Sequence, residues 1–136
     1  MQSCAVSMTD VVCMRVVNID QMLARIHDHW KPHVVAQVND SLVKLVKFRG
    51  EFVWHHHAAE DEMFLVISGT LRMRVREWSE EREVVVRPGE FIVIPHGTEH
   101  LPIADDEVHV ILFEPQSTLN TGSAGGERTV AELPHL

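Results

Sequence analysis

Cysteine is almost missing from this chain: Cys4 and Cys13 are the two present among 136 residues, both near the N-terminus. A disulfide framework is therefore excluded; the two read as ordinary thiols rather than a redox or zinc pair, and a reducing cytoplasm fits. Basic residues are scarce as well, 12 Lys and Arg against 20 Asp and Glu, for a formal net charge of -8. Nucleic acid and anionic membrane surfaces both ask for a basic face, so neither is an expected partner. No apolar run approaches the ~20 residues that cross a bilayer. The opening MQSCAVSMTDVVCMRVVNID has no basic n-region and is interrupted by Asp10 and Arg15, so it does not read as a signal peptide. Met8 is a second candidate start, which would leave Cys4 outside the protein. There is no βαβ rhythm, no Gly-rich loop leading into a helix to cradle phosphate, and no helix-turn-helix region or basic arm.

What is present is an ordinary globular composition, 45% hydrophobic and 24% charged, at a length that bounds one domain with one core. The expected organisation is an N-terminal extension over 1–17, a single domain with a leading helix over 18–116, and a C-terminal loop or loosely held tail over 117–136. Ile19, Met22, Leu23 and Ile26 recur at helical spacing, Asn18 can cap them and Pro32 ends them, which predicts a short amphipathic helix between Ile19 and Trp30. From Ser41 the period changes. Short β-rich runs over 42–48, 51–57, 62–67, 70–77, 83–87, 90–95 and 108–114 alternate with Gly, Pro or polar breaks. In one of them Leu71, Met73 and Val75 alternate with Arg72, Arg74 and Arg76, apolar to a core and arginine to water. Strands this short and regularly spaced predict an all-β sandwich or barrel.

Two stretches share one chemistry. GEFVWHHHAAEDEMFLVISG (50–69) offers His55, His57 and Glu62, and GEFIVIPHGTEH (89–100) offers His100. His55 and His57 lie two apart in an extended segment and share one face, with His56 on the other. An antiparallel return brings Glu62, at the start of the next apolar run, back beside them. Three imidazoles and one carboxylate suit a divalent transition metal with open positions: Fe, Mn, Ni or Zn. Each residue alone has a plainer reading as a solvated or hydrogen-bonded side chain; the order of the set is what points to a metal. Glu60 and Asp61 sit in the turn and are weaker carboxylate candidates. His56, His96 and Glu99 read as surface residues, and His109 as a strand histidine bonded to backbone or touching the site. Phe64, Val66, Met73 and Phe91 fit a pocket wall or a packed core equally, and Trp30 and Trp54 a core or an interface.

These runs resemble the two motifs of the cupin family. Gly50, His55, His57, Glu62 and Gly69 match the first, with one residue fewer than usual between Gly50 and His55; Gly89, Pro95, Gly97 and His100 match the second, whose final Asn is Ala104 here. The tail from Glu114-Pro115 to Thr121-Gly122 is also similar to that of small bacterial single-cupin proteins. The resemblance implies an all-β double-stranded β-helix, a jelly-roll barrel with the short helix before it, commonly a homodimer, with a metal held inside. It leaves three functions open. One is a dioxygenase-like, metal-dependent enzyme on a small organic substrate, in which Glu62 completes the ligand set or acts as a base. The others are a sugar or sugar-phosphate isomerase or epimerase, and a non-catalytic module that binds a metal or small ligand.

Overall fold

The computed structural model describes residues 14–136, so Cys4, Met8, Cys13 and most of the expected extension lie outside the described residues. The elements are a helix α1 (Ile19–Leu23) and seven strands: β1 (His33–Val38), β2 (Ser41–Glu51), β3 (Glu62–Ser68), β4 (Leu71–Glu77), β5 (Glu80–Val86), β6 (Phe91–Ile94) and β7 (Glu99–Pro115). The strands form the antiparallel sheet of a jelly-roll barrel in the order β1-β2-β7-β3-β6, with β4 between β5 and β7. β7 is the spine. Its first residues pair with β4 (Glu99 to Ile103 against Arg76 to Arg72), and its later ones lie between β2 and β3.

Asn18 caps α1 as expected, accepting from Gln21 N at 2.9 Å, but the helix is shorter than its apolar spacing predicts. After Leu23 the chain tightens into single turns, Arg25 N to Met22 O and Ile26 N to Leu23 O, which seat Ile26 at 0% exposure on the sheet. It then crosses to β1 through Trp30, whose φ of 61° ends any helical path.

Two apolar clusters divide the sheet between its faces. Inside the barrel Val46, Phe48, Phe64, Val66, Leu71 and Met73 pack together. On the outer face Leu23 and Ile26 cover Val35 and Leu45. Each such side chain fully withdrawn from water contributes about 1.5–3 kcal/mol before chain entropy is set against it. The arginines of β4 face outward and pair with acids: Arg72 with Asp105 at 2.8 Å and Glu83 at 2.7 Å, Arg74 with Glu81, and Arg76 with Glu99 at 3.6 Å.

The C-terminal segment has no strand, yet it is closely tied to the barrel. Thr121 is fully buried, Ser123 N donates to the His56 carbonyl at 2.9 Å, and Leu136 N donates to the Val34 carbonyl at 2.9 Å. Gly122, at φ +48°, lies so close that a Cβ there would collide with the His56 carbonyl. Among the described residues no helix is long and apolar enough to cross a membrane.

Candidate metal centre

Three parts of the fold converge at one end of the barrel interior. β3 brings Glu62 as its first residue and β7 brings His100 as its second. The segment between β2 and β3 brings His55 and His57. That segment, expected as a strand over 51–57, leaves the ladder after Glu51 and touches the sheet by one antiparallel bridge, His55 with His100. Both backbone bonds of that bridge form, at 3.1 and 2.9 Å. Phe52 N donates to Pro102 O and Gly97 N to His57 O, so the irregular stretch is held at several points without being a strand.

His55, His57, Glu62 and His100 are all buried, and one ligand atom from each lies within 4.8 Å of the others. The group could hold a metal ion. Two ring nitrogens are already committed: His55 Nδ1 donates to the Val53 carbonyl at 2.8 Å and His100 Nδ1 to the Thr98 carbonyl at 2.9 Å. Such tethers fix the tautomer and leave Nε2 bare for a ligand. Among the described residues, the buried Nε2 atoms of His57 and His100 have no hydrogen-bond partner. Glu62 stands 3.3 Å from the first and 3.6 Å from the second. An unpaired buried polar atom costs about 1–3 kcal/mol, and a cation among these four groups would relieve two at once. The donor set therefore fits a divalent transition metal.

Burial, and after it the neighbouring His100, push the His55 imidazole down to about 4 from 6.5. Burial would raise the Glu62 carboxyl, but close interactions with Glu114, His100 and His57 outweigh it and hold the group well below the usual carboxylate range. Glu114 goes the other way: burial, then the nearby charge of Glu62, hold it well above that range despite Lys44. The negative charge of the two acids thus sits on Glu62. Since the folded pKa of His55 is the lower one, the unfolded chain binds its proton first as pH falls. Metal-free protein is expected to lose about 3 kcal/mol between pH 6.5 and 4, with stability full above that window. Chemical denaturation at a series of pH values checks this; a flat profile across the window would contradict it.

The remaining candidates fall elsewhere. His56 turns away and meets Ser123 Oγ at 3.0 Å through Nδ1. Asp61 is exposed and pairs with His96 at 2.9 Å. Glu60 accepts from Ser117 at 3.1 Å, and Glu99 is exposed. His109 is neither bonded to backbone nor at the site: its Nε2 meets Glu107 at 2.8 Å. Of the expected wall, Phe64 lines the cavity, Val66 and Met73 are barrel core, and Phe91 is 63% exposed on β6. Trp54 lies under the Arg76 guanidinium. The cavity beside the ligand set is walled largely by rings that the sequence did not single out together. Trp30 stacks on Phe48 at 4.3 Å and on Phe52 at 4.8 Å, and Glu114 lies among them.

Comparison with known proteins agrees with this architecture. Residues 42–114 match the family model described as the cupin domain. The uncharacterized protein YdbB of Bacillus subtilis (strain 168) is 36% identical over 66 residues, 48% of this chain and 56% of that one. The chain thus spans little more than half the length of that curated relative. A cupin-2 domain containing protein from Shewanella frigidimarina NCIMB 400 superposes with a TM-score of 0.70 at 42% identity, over 74% of this chain and 95% of that one. Hydroquinone 1,2-dioxygenase from Sphingomonas sp. TTNP3, with 4-hydroxybenzoate bound, gives 0.67 at 24% identity over 76% of this chain and 32% of that one. This last likeness is one of fold alone.

Proposed function

The chain belongs to the cupin family, and from that premise we propose that it is a metal-dependent enzyme cleaving a ring or C–C bond of a small organic substrate with O2. The observation that carries the reading is the buried set of three imidazoles and one carboxylate, two nitrogens unpaired, at the wall of an aromatic-lined cavity. In this reading His55, His57, Glu62 and His100 hold Fe(II), Mn(II) or Ni(II). A bound ion of that kind polarises a substrate oxygen and makes O2 chemistry accessible. The chain's own residues do the rest. The Val53 and Thr98 carbonyls orient two imidazoles, and the stacked rings keep water from the reacting centre. Glu62 carries the site's negative charge and would take the proton from the substrate hydroxyl. Both atoms of O2 end in the product, so no external reductant is required.

A sugar or sugar phosphate finds little in this cavity, whose walls are mostly apolar; that weakens the isomerase reading. We further read the protein as a cytoplasmic homodimer, for which Phe91 and Val93, exposed on β6, offer an apolar edge. Oxygen uptake by Fe(II)-, Mn(II)- and Ni(II)-loaded protein is the test, across catechol, hydroquinone, flavonol, β-diketone and acireductone-type compounds. Uptake with one class, absent from Glu62→Ala and from metal-free protein, is expected. Tight binding of such a compound with no oxygen consumed would replace the enzyme by a ligand carrier.

A further inference from the structure

The cavity beside the ligand set offers about 30 Å³ of free space. Sites that hold a small organic ligand have roughly 300–1,000 Å³, so a wall has to move before one enters. Most of the wall is fixed. Phe48, Phe64 and Leu112 belong to paired strands. Trp30 is held at both nitrogens, the backbone N donating to Lys47 O at 2.9 Å and the indole Nε1 to Arg49 O at 2.8 Å. Asn120 differs. It comes from the C-terminal segment, and both polar groups of its side chain are spent there: Nδ2 donates to Arg128 O at 2.7 Å and Oδ1 accepts from Val130 N at 2.9 Å.

Those two bonds close residues 120–130 on themselves. Inside the loop the hydroxyls of Thr121 and Thr129 meet, Ala124 N donates to Thr121 O at 2.9 Å and Thr129 N to Gly126 O at 3.1 Å. With its ends together and its own side chains packing it, the stretch is an Ω-loop. It reaches across the cavity and is fastened at two places. On one side Ser123 N donates to His56 O at 2.9 Å, and Ser123 Oγ accepts from His56 N at 3.1 Å. On the other the Arg128 guanidinium donates to Glu51 O at 2.8 Å and lies 5.6 Å from the Phe52 ring and 5.8 Å from that of Trp30. Among the described residues, these two places carry all the hydrogen bonds from the loop to the barrel.

We propose that the loop 120–130 is a lid that lifts as one body to admit a small organic molecule to the cavity, with Ser123 and Arg128 as its two latches. Trp30 and the barrel stay in place. What the lid serves rests on the metal-centre reading above; that it opens does not. Beyond the loop, residues 131–133 make no backbone bond to the barrel among the described residues, and the chain is pinned again where Val34 N donates to Pro134 O at 2.8 Å. A strap held at both ends opens and recloses without leaving its site. Opening breaks a few hydrogen bonds and the contact of one cation with two rings, a local event well short of unfolding the barrel. Closing returns Asn120 to the wall and shuts water out of the cavity.

Two measurements on the metal-free full chain test this. In hydrogen exchange followed residue by residue by NMR, the Ser123 amide is expected to exchange faster than those of Thr129 and Val130, whose partners travel with the loop. Arg128→Ala, on the opposite side, is expected to speed the Ser123 amide about threefold to tenfold and to leave Val130 and the bridged His55 amide unchanged. Diethyl pyrocarbonate, a small organic reagent that acylates imidazole nitrogen, then reports entry. His55, which lines the cavity, is expected to be modified faster by the same factor in Arg128→Ala, and faster also in Ser123→Ala, with the exposed His27 unchanged as reference. A Ser123 amide indifferent to Arg128→Ala, a Val130 amide that speeds up equally, or a His55 modified no faster would each overturn the lid. Ni(II) that failed to protect His55 from the reagent would overturn the metal-centre reading and leave the lid standing.

Discussion

His100→Ala is expected to lower divalent-metal affinity by at least about 100-fold, because loss of an outer partner of a ligand already costs 10–100-fold and this change removes the ligand itself. His100 is also the residue on which the site is assembled. It is fully buried, bridges His55 through the backbone, packs edge-on against Phe64 and points an unpaired Nε2 at the carboxylate of Glu62. Elemental analysis and competition with a chromophoric chelator measure the loss, and circular dichroism verifies that the barrel remains folded. Wild-type affinity in the folded variant would remove His100 from the centre and leave its burial to be explained by packing.

The second large effect concerns Lys44 and Glu114, both almost entirely buried and 2.6 Å apart. Glu114→Leu alone leaves an ammonium without a partner inside the barrel, and is expected to cost about 3–5 kcal/mol. For a chain of this length that corresponds to roughly 10–20 °C in Tm. Lys44→Met alone is expected to cost less, since burial already holds the Glu114 carboxyl toward its neutral form. The double variant is expected to lie close to wild type, because apolar groups of similar volume replace a pair whose attraction only offsets its desolvation. Thermal unfolding of the four proteins forms a complete cycle. Additive losses in the double variant would show that the two side chains are not paired as the structure has them.

That pair also marks where the sequence stops being readable. His55, His57, Glu62 and His100 stand out because their spacing is local and their chemistry unusual. Lys44 and Glu114 do not, since β2 and β7 are covered on both faces: Leu45 packs under α1 while Val46 and Phe48 point into the barrel. Alternation then no longer separates inside from outside, and a lysine in LVKLVKF reads as solvated. β1 followed Pro32 without a turn signal and went unseen. The first half of β7 was hidden by Pro102 and by the acidic run Asp105 to Glu107, features that argue against a central strand. Pro102 is tolerated because the paired strand β4 lies on one side of it, and on the other its carbonyl takes Phe52 N from an irregular segment. The barrel and six of its seven strands are legible in the sequence, as is the helix cap; the expected strand over 51–57 is an irregular segment, and the length of α1 is not legible because the fold turns the chain at Ile26 to bury it.

The segment that carries His55 and His57 belongs to no ladder, and its backbone is fastened mainly to Gly97, His100, Pro102 and Ser123. Proteins open first where such ties are few, in steps far smaller than global unfolding. Opening here frees two imidazoles together while the barrel stays intact. For an ion held by these four residues, the residence time is expected to follow this one excursion and not the stability of the whole fold. Gly122 and Ser123, pressed against the His56 carbonyl, restrain that segment, so residues that offer none of the four candidate ligands are expected to slow the exchange.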